Sequence, residues 1–524
     1  MKFITGIDRN QAVLFPVTLD ETVDRDNEVR LIDMFVDSLS LQHFGFKTEF
    51  SENGRPAYHP SDLLKLYIYG YLNKTRSSRD LEKETKRNIE VIWLLKGLKP
   101  DHNTIANFRR DNPKAIKKVF RATVEMAKHF DLIGGKLIAG DSTKLRAQNS
   151  KKNNFNQKKI NRHIAYIEQK LEEFNRQLSE ADEDNKKRIE QQIEKQKERK
   201  AKYDDIEKHL NESGESQLST SDPESRHLIT RNNITEVAYN VQTTVDAKNN
   251  IPIDYKVTNT NDSNALGNML RRAKSILQNN DFTALYDKGY HTGSELSIAD
   301  NLGIDVMVAV PTVATQAPDA AYNVERFKYS LTFDAYLCPQ KKLLSTNGKW
   351  HKSRTFRFKR YTTKACKSCP VKELCSKAEY GKAIQRSEYQ DIIDKNNKRI
   401  EQNRDYYRRR QAIAEHPYGT IKRQWGFGYI LTKKFIKRAE ADVGFMFTAY
   451  NLRRIFNIIG RETLKAYLKN AVFLVFALMR LLWQKISRLE GRKFLRIFSP
   501  PIFYFPQKGL FLVVNRNYYE FNRN

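Results

Sequence analysis

Lys136-Leu137-Ile138-Ala139-Gly140-Asp141-Ser142-Thr143 is a short apolar run that ends in a carboxylate. A second run of the same kind, Phe282-Thr283-Ala284-Leu285-Tyr286-Asp287, lies far downstream. Both have the length and apolar content of buried strands. In an open α/β sheet, functional groups collect at the carboxyl ends of strands, so each Asp is expected at a strand tip. A carboxylate there pays desolvation unless it is paired or binds a cation. Two that converge from neighbouring strands repel, and a divalent cation relieves that repulsion. Either Asp read alone is equally a helix cap or a surface charge; the pair, in a compatible strand order, is more specific.

Outward from these runs the pattern continues as sheet. Glu236–Asp246 alternates Val237, Tyr239, Val241, Thr243 and Val245 on one side, Lys248-Asn249-Asn250 reads as a turn, and Ile251–Val257 as the returning strand. Ser263–Gln278 is an amphipathic helix, Ser294–Asn301 a further helix, and Asp305–Val310 a buried strand ending at Pro311. The order predicts a mixed α/β sheet with crossover helices. Two insertions interrupt it. In the first, residues 150–222, Ile160, Ile164, Ile167, Leu171, Phe174 and Leu178 recur at coiled-coil spacing, Ser179–Lys187 breaks the run, and Ile189, Ile193, Tyr203, Ile206 and Leu210 resume it. An antiparallel helical hairpin over about 155–212 is expected, followed by a polar linker, Ser213–Asp222. The second insertion, 315–395, holds all four cysteines.

Upstream, His59 to Arg110 reads as several short helices with basic faces, among them Arg109 and Arg110, which fits a helix-turn-helix module or a plain helical bundle. Downstream, Lys395–Glu440 carries 13 Lys/Arg against 4 Asp/Glu, and two apolar helices follow around Ala449–Ile459 and Ala471–Ile486. The tail Phe494–Asn524 is aromatic and Pro-containing, and the pattern gives no account of it. The boundaries expected are an N-terminal helical domain over 1–130, a catalytic domain with its insertions over 131–460, and a C-terminal apolar region over 461–524.

Over the 524 residues, 92 Lys and Arg face 62 Asp and Glu, a net charge of +30. So large an excess points to a polyanion partner, because each phosphate contact releases counterions; a merely soluble basic protein is the alternative. With 29 Phe and 25 Tyr the chain has the means to build cores, which excludes a basic disordered tail. No secretory signal is expected at Met1–Asp20, and Ala471–Trp483, interrupted by Arg480, is too short to span a membrane. A cytoplasmic, nucleoid-associated protein with no membrane partner is expected.

Four cysteines are too few for a disulfide scaffold. Cys338, Cys366, Cys369 and Cys375 fall close together, and four thiolates make a closed tetrahedral site, so a structural Zn²⁺ is expected, with free buried thiols as the alternative. A third acid, Glu415, lies in the basic segment after the last strand. With Asp141 and Asp287 it completes a set able to hold two Mg²⁺ (or Mn²⁺) ions for in-line phosphoryl displacement.

Three blocks in order, Ile138–Thr143, Ala284–Tyr290 and Ala414-Glu415-His416-Pro417-Tyr418-Gly419-Thr420-Ile421-Lys422, resemble the DDE-type transposases of bacterial insertion sequences, with their RNase H-like catalytic fold. Arg55–Asn112 resembles the helical region that precedes the core in that group, and Tyr239-Asn240-Val241-Gln242 the second core strand. The resemblance implies that Asp141, Asp287 and Glu415 are the catalytic, metal-binding triad. It also implies a Tyr and an Arg before the Glu, for which Tyr407 and Arg410 are candidates although four residues separate Arg410 from Glu415, and a Lys seven residues after it, which is Lys422. On a regular helix Arg408, Glu415 and Lys422 would share a face; with Arg423 these basic side chains would hold DNA phosphates. Pro417 disfavours helix at His416, so a bend or a helix start near Glu415 is expected. The implied partners are double-stranded DNA, as terminal inverted repeats and target, and further copies of the chain in an oligomer. A non-catalytic DNA-binding or regulatory derivative and a metal nuclease without strand transfer are the other readings.

Overall fold

A computed structural model describes residues 18–49, 56–230, 234–311 and 316–470. The expected helix Ala471–Ile486 and the tail Phe494–Asn524 lie outside the described residues. The five long strands are β1 (Leu137–Arg146), β2 (Thr235–Asp246), β3 (Ile251–Thr258), β4 (Thr283–Tyr286) and β5 (Asp305–Val308). They lie in the order β3-β2-β1-β4-β5: the first three pair antiparallel, and β4 and β5 run parallel to β1. A short strand, Arg226–Ile229, shares β2's outer edge with β3. The meander β1–β3 follows from alternation and a tight turn. The parallel strands need crossovers, supplied by α10 (Leu266–Leu277) and α11 (Gly293–Asn301).

The two faces of the sheet are covered by different helices. Ile138, Ala284 and Tyr286 face a large core built with α7 (Pro113–His129), α10 and α15 (Ile436–Ile459). Leu137, Ala139, Leu285 and Met307 face the opposite way, onto Ile413 and Ala414 of α14 (Arg404–Tyr418), with Ile400 of α13 (Gln390–Gln402) beside them. Gly140 is where the strands allow Tyr286 through: a Cβ at 140 would stand 1.9 Å from the Tyr286 ring.

The N-terminal helices α1 (Glu28–Asp37), α2 (Leu41–Phe44), α3 (Pro60–Leu72), α4 (Ser78–Arg87), α5 (Ile89–Leu94) and α6 (His102–Asp111) share the large core with α7 and α15. Leu64, Tyr67, Ile68 and Tyr71 of α3 are fully buried there. Between β1 and β2, α8 (Gln157–Glu180) and α9 (Glu183–Ser213) pack antiparallel, as the pairs Gln157–Glu207 and Lys200–Glu168 require. Their seam buries Ile160, Ile167, Ile193, Ile206 and Leu210. Between β5 and α13, short strands and the single-turn helix α12 (Lys372–Cys375) surround a small core of Phe327, Tyr336, Leu344, Tyr361 and Ile384. Among the described residues no helix is long and apolar enough to cross a membrane.

Candidate active site

Asp141 is not at the end of its strand, as the apolar run suggested. β1 continues to Arg146, because its polar half pairs with β2, Asp141 opposite Thr243. On the other edge the pairing with β4 stops at Ala139–Leu285. Beyond that point β1 is open, and Asp287 follows directly on the last residue of β4. The two carboxylates therefore sit on either side of the place where the parallel strands part. Asp287 caps the short turn Lys288–Tyr290, its Oδ1 accepting from Gly289 N–H at 2.9 Å.

The Asp141 side chain is 18% exposed. It accepts from the Ser142 N–H at 2.7 Å and from the Arg410 guanidinium at 3.2 Å. Burial nevertheless pushes its carboxyl up to about 6, with Arg410 and the Ser142 N–H pulling down and Asp287 adding to the rise. Desolvation outweighs one arginine and one amide.

α14 lies on the Asp141 face, held by Ile413, Ala414 and the Tyr407 hydroxyl, which donates to Tyr286 O at 2.8 Å. Arg410 points in to Asp141. Glu415 is exposed, with Gln411 Nε2 donating to it at 3.2 Å, and Arg408 is exposed with Asp405 at 2.9 Å. The helix neither starts nor stops at Pro417. It runs on to Tyr418 with the proline inside and ends in a wide π-type turn, Gly419–Gln424. That turn breaks the 3.6-residue rhythm. Lys422 consequently does not share a face with Arg408 and Glu415: its ammonium turns inward, donating to Thr143 Oγ1 at 2.9 Å and Lys144 O at 3.3 Å. Arg423 is exposed. The geometry thus unites Asp141, Asp287, Tyr407, Arg410 and Lys422 and leaves Glu415 on the outer side of the same helix. Among the described residues no three His, Cys, Asp or Glu side chains stand close enough to hold a metal ion between them.

Other side chains at the site gave little signal in the sequence. The strand was expected to end at Asp141, yet Ser142, Thr143 and Lys144 all lie in β1. Asp262, which the sequence did not single out, accepts from Ser142 Oγ, Lys144 Nζ and Asn240 Nδ2. The Asn240–Gln242 stretch of β2 was legible as a strand, but the use of Asn240 was not.

The four cysteines are unpaired thiols. Cys338 opens the turn Cys338–Lys342, whose last N–H donates to its sulfur at 3.2 Å. Cys366 and Cys369 bracket a turn, and Cys375 ends α12. Cys338 and Cys375 pack against the same small core. Burial raises the Cys375 thiol, and the thiols of Cys366, Cys369 and Cys338 add to the rise.

Arg109 departs from the expectation of a basic exposed face. It is buried, with its guanidinium 3.4 Å from Asp442 of α15; Arg110 is exposed and pairs with Asp111. Further exposed cations of this region are on α4, where Lys83, Lys86 and Arg87 face solvent.

Two family models match the chain: a transposase domain over residues 17–111, which takes in α1–α6, and a transposase DDE domain over residues 337–456, which takes in the cysteines, α13, α14 and most of α15. Asp141 and Asp287 lie outside both matches. No curated protein and no solved structure matches. Transposase models thus cover both the N-terminal helices and the segment that packs α14 over Asp141, and the two matches together support a DDE-type insertion-sequence transposase.

Proposed function

We propose that the chain is a metal-dependent transposase that cleaves DNA at the ends of an insertion sequence and joins those ends to a target. Asp141, Asp287 and Glu415 are its catalytic acids. The observation that carries this reading is the convergence of Asp141 and Asp287 where β1 and β4 part, with Asp141 mostly shielded from solvent and undersupplied with donors. Two hard oxygen donors in such a place suit Mg²⁺ or Mn²⁺. The strand order β3-β2-β1-β4-β5 supports an RNase H-like core. When bound, a pair of divalent ions supplies charge stabilisation for the attacking and leaving oxygens of an in-line displacement.

The chain's own groups do the rest. Arg410 holds Asp141 in register until the site is loaded. Tyr407 fixes α14 over the carbonyl that precedes Asp287, and Lys422 ties the end of α14 to β1. Glu415 stands about 1.4 turns beyond Arg410 on α14. It joins the two aspartates when its contact with Gln411 breaks on DNA loading. Arg408 and Arg423 hold backbone phosphates beside the site. Two element ends must be held together, so the active form is an oligomer on double-stranded DNA.

The test is Mg²⁺-dependent cleavage of DNA carrying the repeats that flank the gene. Asp141→Ala, Asp287→Ala and Glu415→Ala should each lose about a thousandfold or more, since metal-borne charge stabilisation is worth several kcal/mol. Each should still bind the DNA. If Asp287→Ala cleaves like the parent, the assignment is wrong; if the parent binds but never cuts, the non-catalytic reading replaces it.

We also propose that the four thiols hold a structural Zn²⁺. Support comes from Cys338 and Cys375 packing against the same small core and from that core's five side chains being few for the segment they must organise. Among the described residues the four sulfurs do not stand within one coordination sphere, so binding would have to draw them together. Purified protein should carry about one equivalent of zinc by metal analysis, and Cys366→Ser/Cys369→Ser should lose it. Under half an equivalent in the parent rejects the site.

A further inference from the structure

Asp262 is a carboxylate at this end of the sheet that the proposed chemistry does not use, and three side chains anchor it. Its side chain is 13% exposed. Oδ2 accepts from the Ser142 hydroxyl at 2.8 Å and from the Lys144 ammonium at 3.2 Å; Oδ1 accepts from the Asn240 amide at 2.7 Å. Lys144 also donates to Ser142 Oγ at 2.9 Å, and Asn240 to Thr260 O at 2.9 Å. Lys144 and Asn240 are opposite partners across β1 and β2.

Side chains alternate along a strand. Ser142 and Lys144 therefore leave β1 on the face opposite to Asp141 and Thr143. Arg410 and Lys422 grip one face of the free end of β1, and Asp262 grips the other. The same loop also reaches the Asp287 side: Ser263 O accepts from the Thr292 hydroxyl at 2.7 Å. Gly289 fills the gap between the two acids. A Cβ there would stand 3.0 Å from Asp287 Oδ1 and 3.7 Å from Asp262 Cβ. The Tyr290 hydroxyl, buried and without a hydrogen-bond partner, lies in the field of both Asp262 and Asp141.

We infer that Asp262 is a positioning residue for divalent-metal binding: by clamping Ser142 and Lys144 from behind the strand, and by anchoring the loop bonded to the Asp287 segment, it sets the separation of Asp141 and Asp287. This rests on the metal-binding reading of those two aspartates. Asp262 is not itself a ligand in this scheme, because the Lys144 ammonium and two neutral donors already occupy its oxygens. Groups that orient metal ligands typically change metal affinity by about 10- to 100-fold when removed.

The experiment is Mn²⁺ titration of the full chain without DNA, following free Mn²⁺ by electron paramagnetic resonance. Melting temperatures are measured alongside. Asp262→Asn keeps the shape and loses the charge, Asp262→Ala loses both, Ser142→Ala removes one clamp, and Asp141→Ala removes a ligand. The expected result is loss of binding in Asp141→Ala, a weakening of about 10- to 100-fold in both Asp262 variants at a melting temperature close to the parent's, and a smaller weakening in Ser142→Ala. If Asp141→Ala loses binding while both Asp262 variants titrate like the parent, the positioning role is overturned and the metal reading stands. If Asp141→Ala titrates like the parent, the metal reading itself fails.

Discussion

Asp442 is a fully buried aspartate and Asp141 a partly buried one, each with an arginine beside it, and their surroundings differ in a second respect. Asp442, in α15, is fully buried and surrounded by donors: the Tyr71 hydroxyl, the Leu431 N–H at 2.6 Å, and the guanidinium groups of Arg109 at 3.4 Å and Arg76 at 3.7 Å. Arg76 is itself held by Tyr429 O and by the faces of Phe427 and Tyr429. Asp141 has one arginine and one amide, and burial still drives its carboxyl up to about 6. A buried acid with every lone pair answered is a structural knot. A buried acid left short of donors stores a demand for positive charge, which is what a site for a cation or a phosphate-bound metal needs.

The sharpest way to break this contrast is to remove the two charges in turn and measure stability. Asp442→Ala leaves Arg76 and Arg109 as buried cations facing each other without an anion, so a loss of about 3–5 kcal/mol is expected in urea unfolding. Asp141→Asn removes a carboxylate that burial already disfavours; its stability should fall within about 1 kcal/mol of the parent or rise. Equal losses in the two variants would erase the distinction between knot and site.

A second, smaller effect separates two kinds of arginine. Arg109 is committed to Asp442 inside the protein, whereas Arg423 is exposed at the rim of the site. Arg423→Ala should leave unfolding unchanged and make the slope of log K against log[salt] for DNA binding shallower by about 0.9, the value of one phosphate contact. Fluorescence anisotropy at several salt concentrations reads this directly; an unchanged slope removes Arg423 from the DNA contacts.

Much of the sheet could be read in the sequence because its signals are local. The alternation Val237 to Val245, the Lys248–Asn250 turn and the seam Ile160–Ile167 each depend on neighbours a few residues away. What escaped is non-local. The polar half of β1, Ser142 to Lys144, looks like a turn until β2 pairs with it, so Asp141 was expected at a tip it does not occupy. Asp442 and Arg109 lie 333 residues apart in the chain, and no periodicity links them. Glu415 and Lys422 were expected on one face because seven residues make nearly two α-helical turns; the wide turn Gly419–Gln424 that separates their directions has no sequence signature of its own. The two aspartates could be named from short motifs, and the Ser142 and Gly289 N–H groups that donate to them are chain neighbours; Arg410, 269 residues from Asp141, comes near only by packing.

A third kind of acid completes the comparison and gives the smallest effect. Asp334, in the cysteine-bearing segment, is 38% exposed and accepts from Lys359 Nζ at 2.8 Å, Tyr361 Oη at 2.6 Å and Tyr329 Oη at 2.7 Å. Here donors win over burial: Lys359 and the two hydroxyls hold the carboxyl down at about 2. A carboxyl whose folded value lies below its unfolded value of about 4 adds stability above that pH and loses it as pH falls toward 2. Hydrogen exchange of the amides in Lys328–Ser330 and Arg357–Tyr361 should therefore quicken between pH 4 and 2, after correction for intrinsic rates, more in the parent than in Asp334→Asn. The difference should be small, because solvent screens a group this exposed. If the parent and Asp334→Asn lose protection in parallel across that range, the three donors contribute nothing through charge, and Asp334 joins neither the satisfied acids nor the unsatisfied ones.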